Sequence, residues 1–171
     1  MGTSLATVGG VSETRCMAVG AGAPRSDEVI RRFFAAQRRG VTGRRLQRLR
    51  AAEADLRACL DEHAPLVLTE QELALLALER QFDATDAASR VAEADAILLL
   101  LPLYLEESQW RGLDYEDRRL RIRLAEPLAY EVARLPELRG PEVGAAVWTV
   151  EATVEHAVWM LRKEREATRR N

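Results

Sequence analysis

The chain has 171 residues, 47% of them apolar and 5% aromatic, and a formal net charge of −2. That length suits one domain, and that apolar fraction builds a proper core and excludes wholesale disorder. Ala, Leu, Arg and Glu dominate, and these side chains lose little freedom in a helix.

Residues 1–25 are rich in Gly, Ala, Ser and Thr and are read as a flexible leader. They lack a charged segment followed by a solid apolar run, so they do not form a secretory signal, and the cytoplasm is the default compartment. Ser26 is placed as the N-cap of a first helix, with Asp27 and Glu28 in the first turn, where the helix dipole favours acids. Val29, Ile30, Phe33 and Phe34 form its apolar stripe, and Gly40 stops it. Thr42 is placed to cap a second helix with Leu46, Leu49, Leu56, Cys59 and Leu60 on its apolar face, ended by Pro65. Thr69 and Glu72 fit a capping box that opens a third helix running to about Gln81, with Leu68 and Leu73 as its hydrophobic staple.

A fourth helix is predicted from Asp83 or Thr85 through "ASRVAEADAILLLLPLYLEE". Its second half is apolar all round, as in a helix buried at a bundle centre or an interface, and Pro102 should kink or break it. Arg119 to Leu124 alternates like a strand, yet Leu113, Leu120, Leu124, Leu128, Val132 and Leu135 also have helical spacing. A lone strand cannot satisfy its backbone, so this segment is predicted as helix, broken or kinked near Pro127. Pro141 fits the first position of a last helix. In that helix Val143, Val147, Val150, Val154, Ala157 and Leu161 make a seam suited to other helices or to its own copy, so Val143, Val147, Val150, Val154 and Leu161 are the candidate homo-oligomer contacts.

The expectation is an all-α protein: a single bundle of about six helices over residues 26–165, between the leader and a charged tail, 166–171, that frays. Its longest apolar run, residues 96–105, is far short of the ~20 residues that a membrane span needs.

Sites for chemistry are sparse. "VGAGAP" lacks the Lys-Ser or Lys-Thr of a phosphate loop, so no cofactor is expected. Cys16 and Cys59 fit neither a disulfide framework nor a metal cluster, and Cys59 sits on an apolar helix face as a core residue. His156 adjoins Glu155 and follows Glu151, but adjacent helix positions point about 100° apart, so no metal site is assigned. No residue argues for an enzyme.

Charge is unevenly spread. Residues 25–57 carry ten basic and four acidic residues, whereas residues 59–117 carry three basic and fourteen acidic. Lys163 is the only lysine, so arginine supplies nearly all positive charge here. Within "RRFFAAQRRGVTGRRLQRLR", Arg44 and Arg45 fall in the first turn of the second helix, where a cation is disfavoured by roughly 0.3–1 kcal/mol. A bound anion reverses that penalty, because free N–H groups, the dipole and two guanidiniums then point at it. Arg48 lies one turn on. The phosphate-binding candidates are Arg38, Arg39, Arg44, Arg45 and Arg48. The competing reading is that these arginines solubilise the first helix or pair with the acidic middle of the same fold.

The order "EVIRRFFAAQRRG", a Val-Thr turn, then "TGRRLQRLRAAEADLRACL" resembles the N-terminal core-binding domain of tyrosine recombinases, the phage integrases. Phe33, Phe34, Gly40, Val41, Thr42, Leu46 and Leu56 carry the resemblance, which spans about residues 27–105. Arg45, Leu49 and Glu53 stand where that family usually has Thr, Tyr and Leu, and the recombinase catalytic domain has no counterpart here. The resemblance implies contact with the DNA backbone through Arg44, Arg45 and Arg48, without catalysis. The expectation is therefore a non-catalytic DNA-binding module; its rival is a helical interaction or dimerisation protein that binds no nucleic acid.

Overall fold

The computed structural model describes residues 22–110 and 112–170. Most of the predicted leader, residues 1–21, lies outside them. Among the described residues there are seven α-helices, one 3₁₀ turn and no strand. They are α1 (Ser26–Gln37), α2 (Gly43–Val67), α3 (Glu70–Phe82), α4 (Ala87–Val91), α5 (Asp95–Tyr104), α6 (Tyr115–Ala133) and α7 (Pro141–Arg170). The 3₁₀ turn, Glu107–Trp110, precedes α6. No helix among the described residues is long and apolar enough to cross a membrane.

The core is one cluster, and α5 is its axis, packed against α1, α2, α6 and α7. Ile97, Leu98, Leu100 and Leu101 are fully buried, each contributing about 1.5–3 kcal/mol by leaving water. This is the fate of a helix that is apolar all round. The ambiguous segment is helical throughout: α6 buries Arg121, Ile122, Leu124, Ala125, Leu128, Ala129 and Val132, and it runs through Pro127 without a break.

The predicted fourth helix is two helices. Ala92 takes an extended conformation (φ −62°, ψ 138°), and the chain turns before α5 begins. Local sequence gives no reason for this break; residues 24–26 impose it. The Ser26 amide donates to the Ala92 carbonyl (2.8 Å), and the Ala94 amide to the Pro24 carbonyl (3.0 Å). Arg25 Nη1 donates to the Val91 carbonyl (2.6 Å), and Ser26 Oγ to the Glu93 carbonyl (2.7 Å). Glu93 N–H donates to Glu72 Oε1 (2.9 Å). The backbone groups that the break exposes in the interior thus regain partners. Two expectations change as a result. Ser26 is the first residue of α1, fully buried, and Arg25 is the N-cap. The leader also ends sooner than predicted, since residues 24 and 25 belong to the fold.

Pro65 does not end α2, which continues to Val67. The ring removes the amide that would have bonded Asp61, and Arg80 Nη2 donates to that carbonyl instead (3.2 Å). The capping box forms as predicted: Glu72 N–H donates to Thr69 Oγ1 (3.3 Å), and Thr69 N–H to Glu72 Oε2 (2.8 Å). The charged tail remains helical through Arg170, as part of α7.

The α7 seam faces inward. Val143, Val150, Ala157 and Leu161 are buried, and Val147 and Val154 pack half-buried against the same cluster. Of the residues predicted as homo-oligomer contacts, Val143, Val150 and Leu161 are buried where α7 packs on α5 and α6, and Val147 and Val154 are half-buried there. A seam with this repeat does not say which helix covers it.

Candidate nucleic-acid interface

The predicted site lies at the corner where α1 hands over to α2. Gly40 (φ +68°) and Gly43 (φ +61°) both take left-handed backbone, which lets the chain reverse within a few residues. Val41 is half-buried against the core and anchors the turn. Thr42 is the N-cap of α2, but its hydroxyl accepts no hydrogen bond from the first turn. The first turn of this 25-residue helix thus lacks the usual side-chain acceptor for its amides.

The five predicted arginines divide into two groups. Arg38 closes α1 and is bonded to Glu53 of α2. Arg48 is mostly buried and forks between α2 and α6: Nη2 meets Asp114 Oδ2 (2.7 Å) and Nε meets Asp117 Oδ1 (3.1 Å). Asp114 is itself the N-cap of α6, accepting the Asp117 amide at 2.8 Å. That amide, then the guanidiniums of Arg48 and Arg44, hold the Asp114 carboxyl below the usual carboxylate range. Arg38 and Arg48 therefore join helices, each paired with carboxylates of the same fold.

Arg39, Arg44 and Arg45 stay outside. Arg44 is 80% exposed, and its Nη2 is 3.7 Å from Asp114 Oδ2, a loose pair in open solvent that contributes little. Arg39 and Arg45 are exposed and meet no carboxylate among the described residues. The α1–α2 corner thus carries three exposed guanidiniums, of which only Arg44 has a carboxylate near it, beside a helix N-terminus whose cap hydroxyl is unused.

Compared with protein-family models, with curated proteins and with solved structures, the chain matches none.

Two buried arginines escaped the sequence reading. Arg57 of α2 is held by Asp27 (2.6 Å) of α1 and Ser89 (2.9 Å) of α4, with Glu53 at 3.5 Å on its own helix. Glu53 serves both Arg38 and Arg57, so one carboxylate ties the α1 terminus to the interior. The only sequence signal was the four-residue spacing of Glu53 and Arg57. Arg121 of α6 is bonded to Asp55 and to the Gln109 carbonyl (3.2 Å), and it lies 5.5 Å from the Tyr104 ring centre. Within the strand-like alternation nothing marked it as an inward residue.

Cys59 is buried as predicted, and burial pushes its thiol up to about 12. Tyr104 is buried, its hydroxyl donating to the Ala52 carbonyl (3.2 Å), whereas Tyr130 is partly exposed and bonded to Glu151. A cleft of about 600 Å³ lies between the 3₁₀ turn and the C-terminal half of α7, floored by Leu105, Trp110, Ala157, Met160 and Leu161. At its rim Arg118 is paired with Glu164 (2.7 Å). Among the described residues no group of three or more His, Cys, Asp or Glu is placed to hold a metal. On the outer side of α3, Leu75, Leu78 and Phe82 project into solvent, Phe82 at 88% exposure.

Proposed function

We propose that this protein is a non-catalytic helical module that contacts the phosphates of DNA through Arg39, Arg44 and Arg45. One observation carries the reading: two exposed guanidiniums stand in the first turn of α2, where the dipole repels them and the cap hydroxyl is unused. A phosphate there accepts from the free amides and from both side chains, turning an unfavourable arrangement into a favourable one. The resemblance of this turn to the recombinase core-binding domain supports DNA as the source of that phosphate. Contact is confined to the corner, because residues 59–117 carry fourteen acids against three basic residues.

The test is charge reversal, Arg44→Glu with Arg45→Glu, followed by a DNA mobility shift at low salt. Loss of the shift is expected. Equal binding by the variant, or no binding by the unaltered protein, refutes the reading.

A second reading is a helical interaction protein that binds no nucleic acid. The exposed line of Leu75, Leu78 and Phe82, with Leu66 nearby in sequence, favours it. Under that reading the charge reversal changes nothing, and the replacements Leu78→Glu and Phe82→Glu abolish partner binding while leaving the fold intact.

A further inference from the structure

The start of α2 faces the start of α6, and α6 brings a carboxylate to it. Asp114, the N-cap of α6, uses its two oxygens differently. Oδ1 accepts the Asp117 amide (2.8 Å), which fixes the side chain on the helix end. Oδ2 is turned to α2, where it accepts from Nη2 of Arg48 (2.7 Å) and lies 3.7 Å from Nη2 of Arg44. Asp117 meets the same Arg48 through Nε (3.1 Å). Arg48 is thus held twice. Arg44 is 80% exposed and has Asp114 as its one carboxylate among the described residues.

Asp114 is ionised at neutral pH. The Asp117 amide, with Arg48 and Arg44 beside it, holds the carboxyl below its usual range. A carboxylate and a phosphate take the same donors from a guanidinium. An anion that reaches the first turn of α2 through Arg44 therefore meets a charge of its own sign, and that charge already faces the same side chain. Among the described residues no other carboxylate pairs with an arginine of that turn.

We infer that Asp114 is a built-in competitor for the phosphate, an autoinhibitory contact that draws Arg44 away from the anion and lowers the affinity of the corner. The inference rests on the phosphate reading above and adds a regulator to the same site. Its strength is that of one exposed ion pair, a factor of about 1.4 to 5 in an equilibrium.

Asp114→Asn separates the charge from the cap. Asn caps a helix as well as Asp does, and its oxygen can keep the Asp117 amide. The nitrogen that then replaces Oδ2 cannot accept from an arginine. Binding of the unaltered protein and of the variant to one labelled duplex is compared by fluorescence anisotropy at about 50 mM salt, where screening is modest. The variant is expected to bind about two- to fivefold tighter. Asp114→Ser, which keeps a capping oxygen without the charge, is expected to do the same, with helix content unchanged in both. Glu116→Gln removes an equal charge two residues on, from a side chain that pairs with Arg119 (3.9 Å), and is expected to change affinity less. In an Arg44→Gln background the gain from Asp114→Asn is expected to vanish. Asp114 variants that bind no tighter than the unaltered protein overturn the competitor and leave the phosphate reading standing. So does an equal gain from Glu116→Gln, which reduces the effect to overall charge, or a gain that persists without Arg44. A duplex bound by none of these proteins overturns the phosphate reading, and the competitor with it.

Discussion

If the proposed function holds, the salt dependence of DNA binding distinguishes contact through three arginines from contact through five. Five phosphate contacts, from Arg38, Arg39, Arg44, Arg45 and Arg48, give a log–log slope of affinity against salt of about −4.5, at roughly −0.9 per contact. With Arg38 and Arg48 held by Glu53, Asp114 and Asp117, three contacts remain and the slope falls to about −2.7. Between 50 and 200 mM salt the first case loses affinity about 500-fold and the second about 40-fold. Fluorescence anisotropy of a labelled duplex, titrated at several salt concentrations, separates the two. The variant Arg44→Gln with Arg45→Gln leaves Arg39 alone and should bring the slope to about −0.9. A slope near −4.5, or one that these glutamines leave unchanged, refutes the assignment of Arg44 and Arg45 as phosphate contacts.

Three further outcomes follow from the side chains around that corner and beneath it. Arg57→Ala leaves Asp27 and Glu53 without their buried cation and should lower stability by about 3 kcal/mol in urea unfolding; a loss under about 1 kcal/mol contradicts a role in joining α1, α2 and α4. Asp114 is favoured in its ionised form by folding, so its stabilisation is complete above the ordinary carboxylate pKa of about 3.9 and disappears as the pH falls through its lower folded value. Thermal melts of Asp114→Asn and the unaltered protein should therefore converge on acidification below about pH 4, and a gap independent of pH rejects the cause. Cys59, raised to about 12 by burial, should resist alkylation at pH 8 in a Cys16→Ser protein until denaturant is added; rapid native labelling shows that the thiol is reachable.

Helix type was legible wherever apolar spacing ran long, even across the strand-like alternation of α6, because no second strand was on offer. The α3 capping box was legible because it is wholly local: Thr69 and Glu72 satisfy each other. The division between α4 and α5 was hidden, since every residue around Ala92 suits a helix and the cause lies in Arg25 and Ser26. The same separation limited the site. The helix dipole marked Arg44 and Arg45 from sequence, but nothing adjacent in the chain showed that Asp114 and Asp117 would take Arg48. The α7 repeat gave the inward seam correctly as a packing line, while the identity of its partner depended on where α5 and α6 ended up.

The clasp of residues 24–26 on the α4–α5 junction also sets a timetable. Its side-chain bonds join positions 66 and 67 residues apart, and Arg25 and Ser26 leave the ribosome first. At about 5–20 residues per second, they wait roughly 3–13 s for Val91 and Glu93 to be made. During that interval Val29, Ile30, Phe33 and Phe34 of α1 lack the part of their cover that α4 and α5 supply. Shortening the chain past Ser26 removes every hydrogen bond that this clasp makes to the α4–α5 junction.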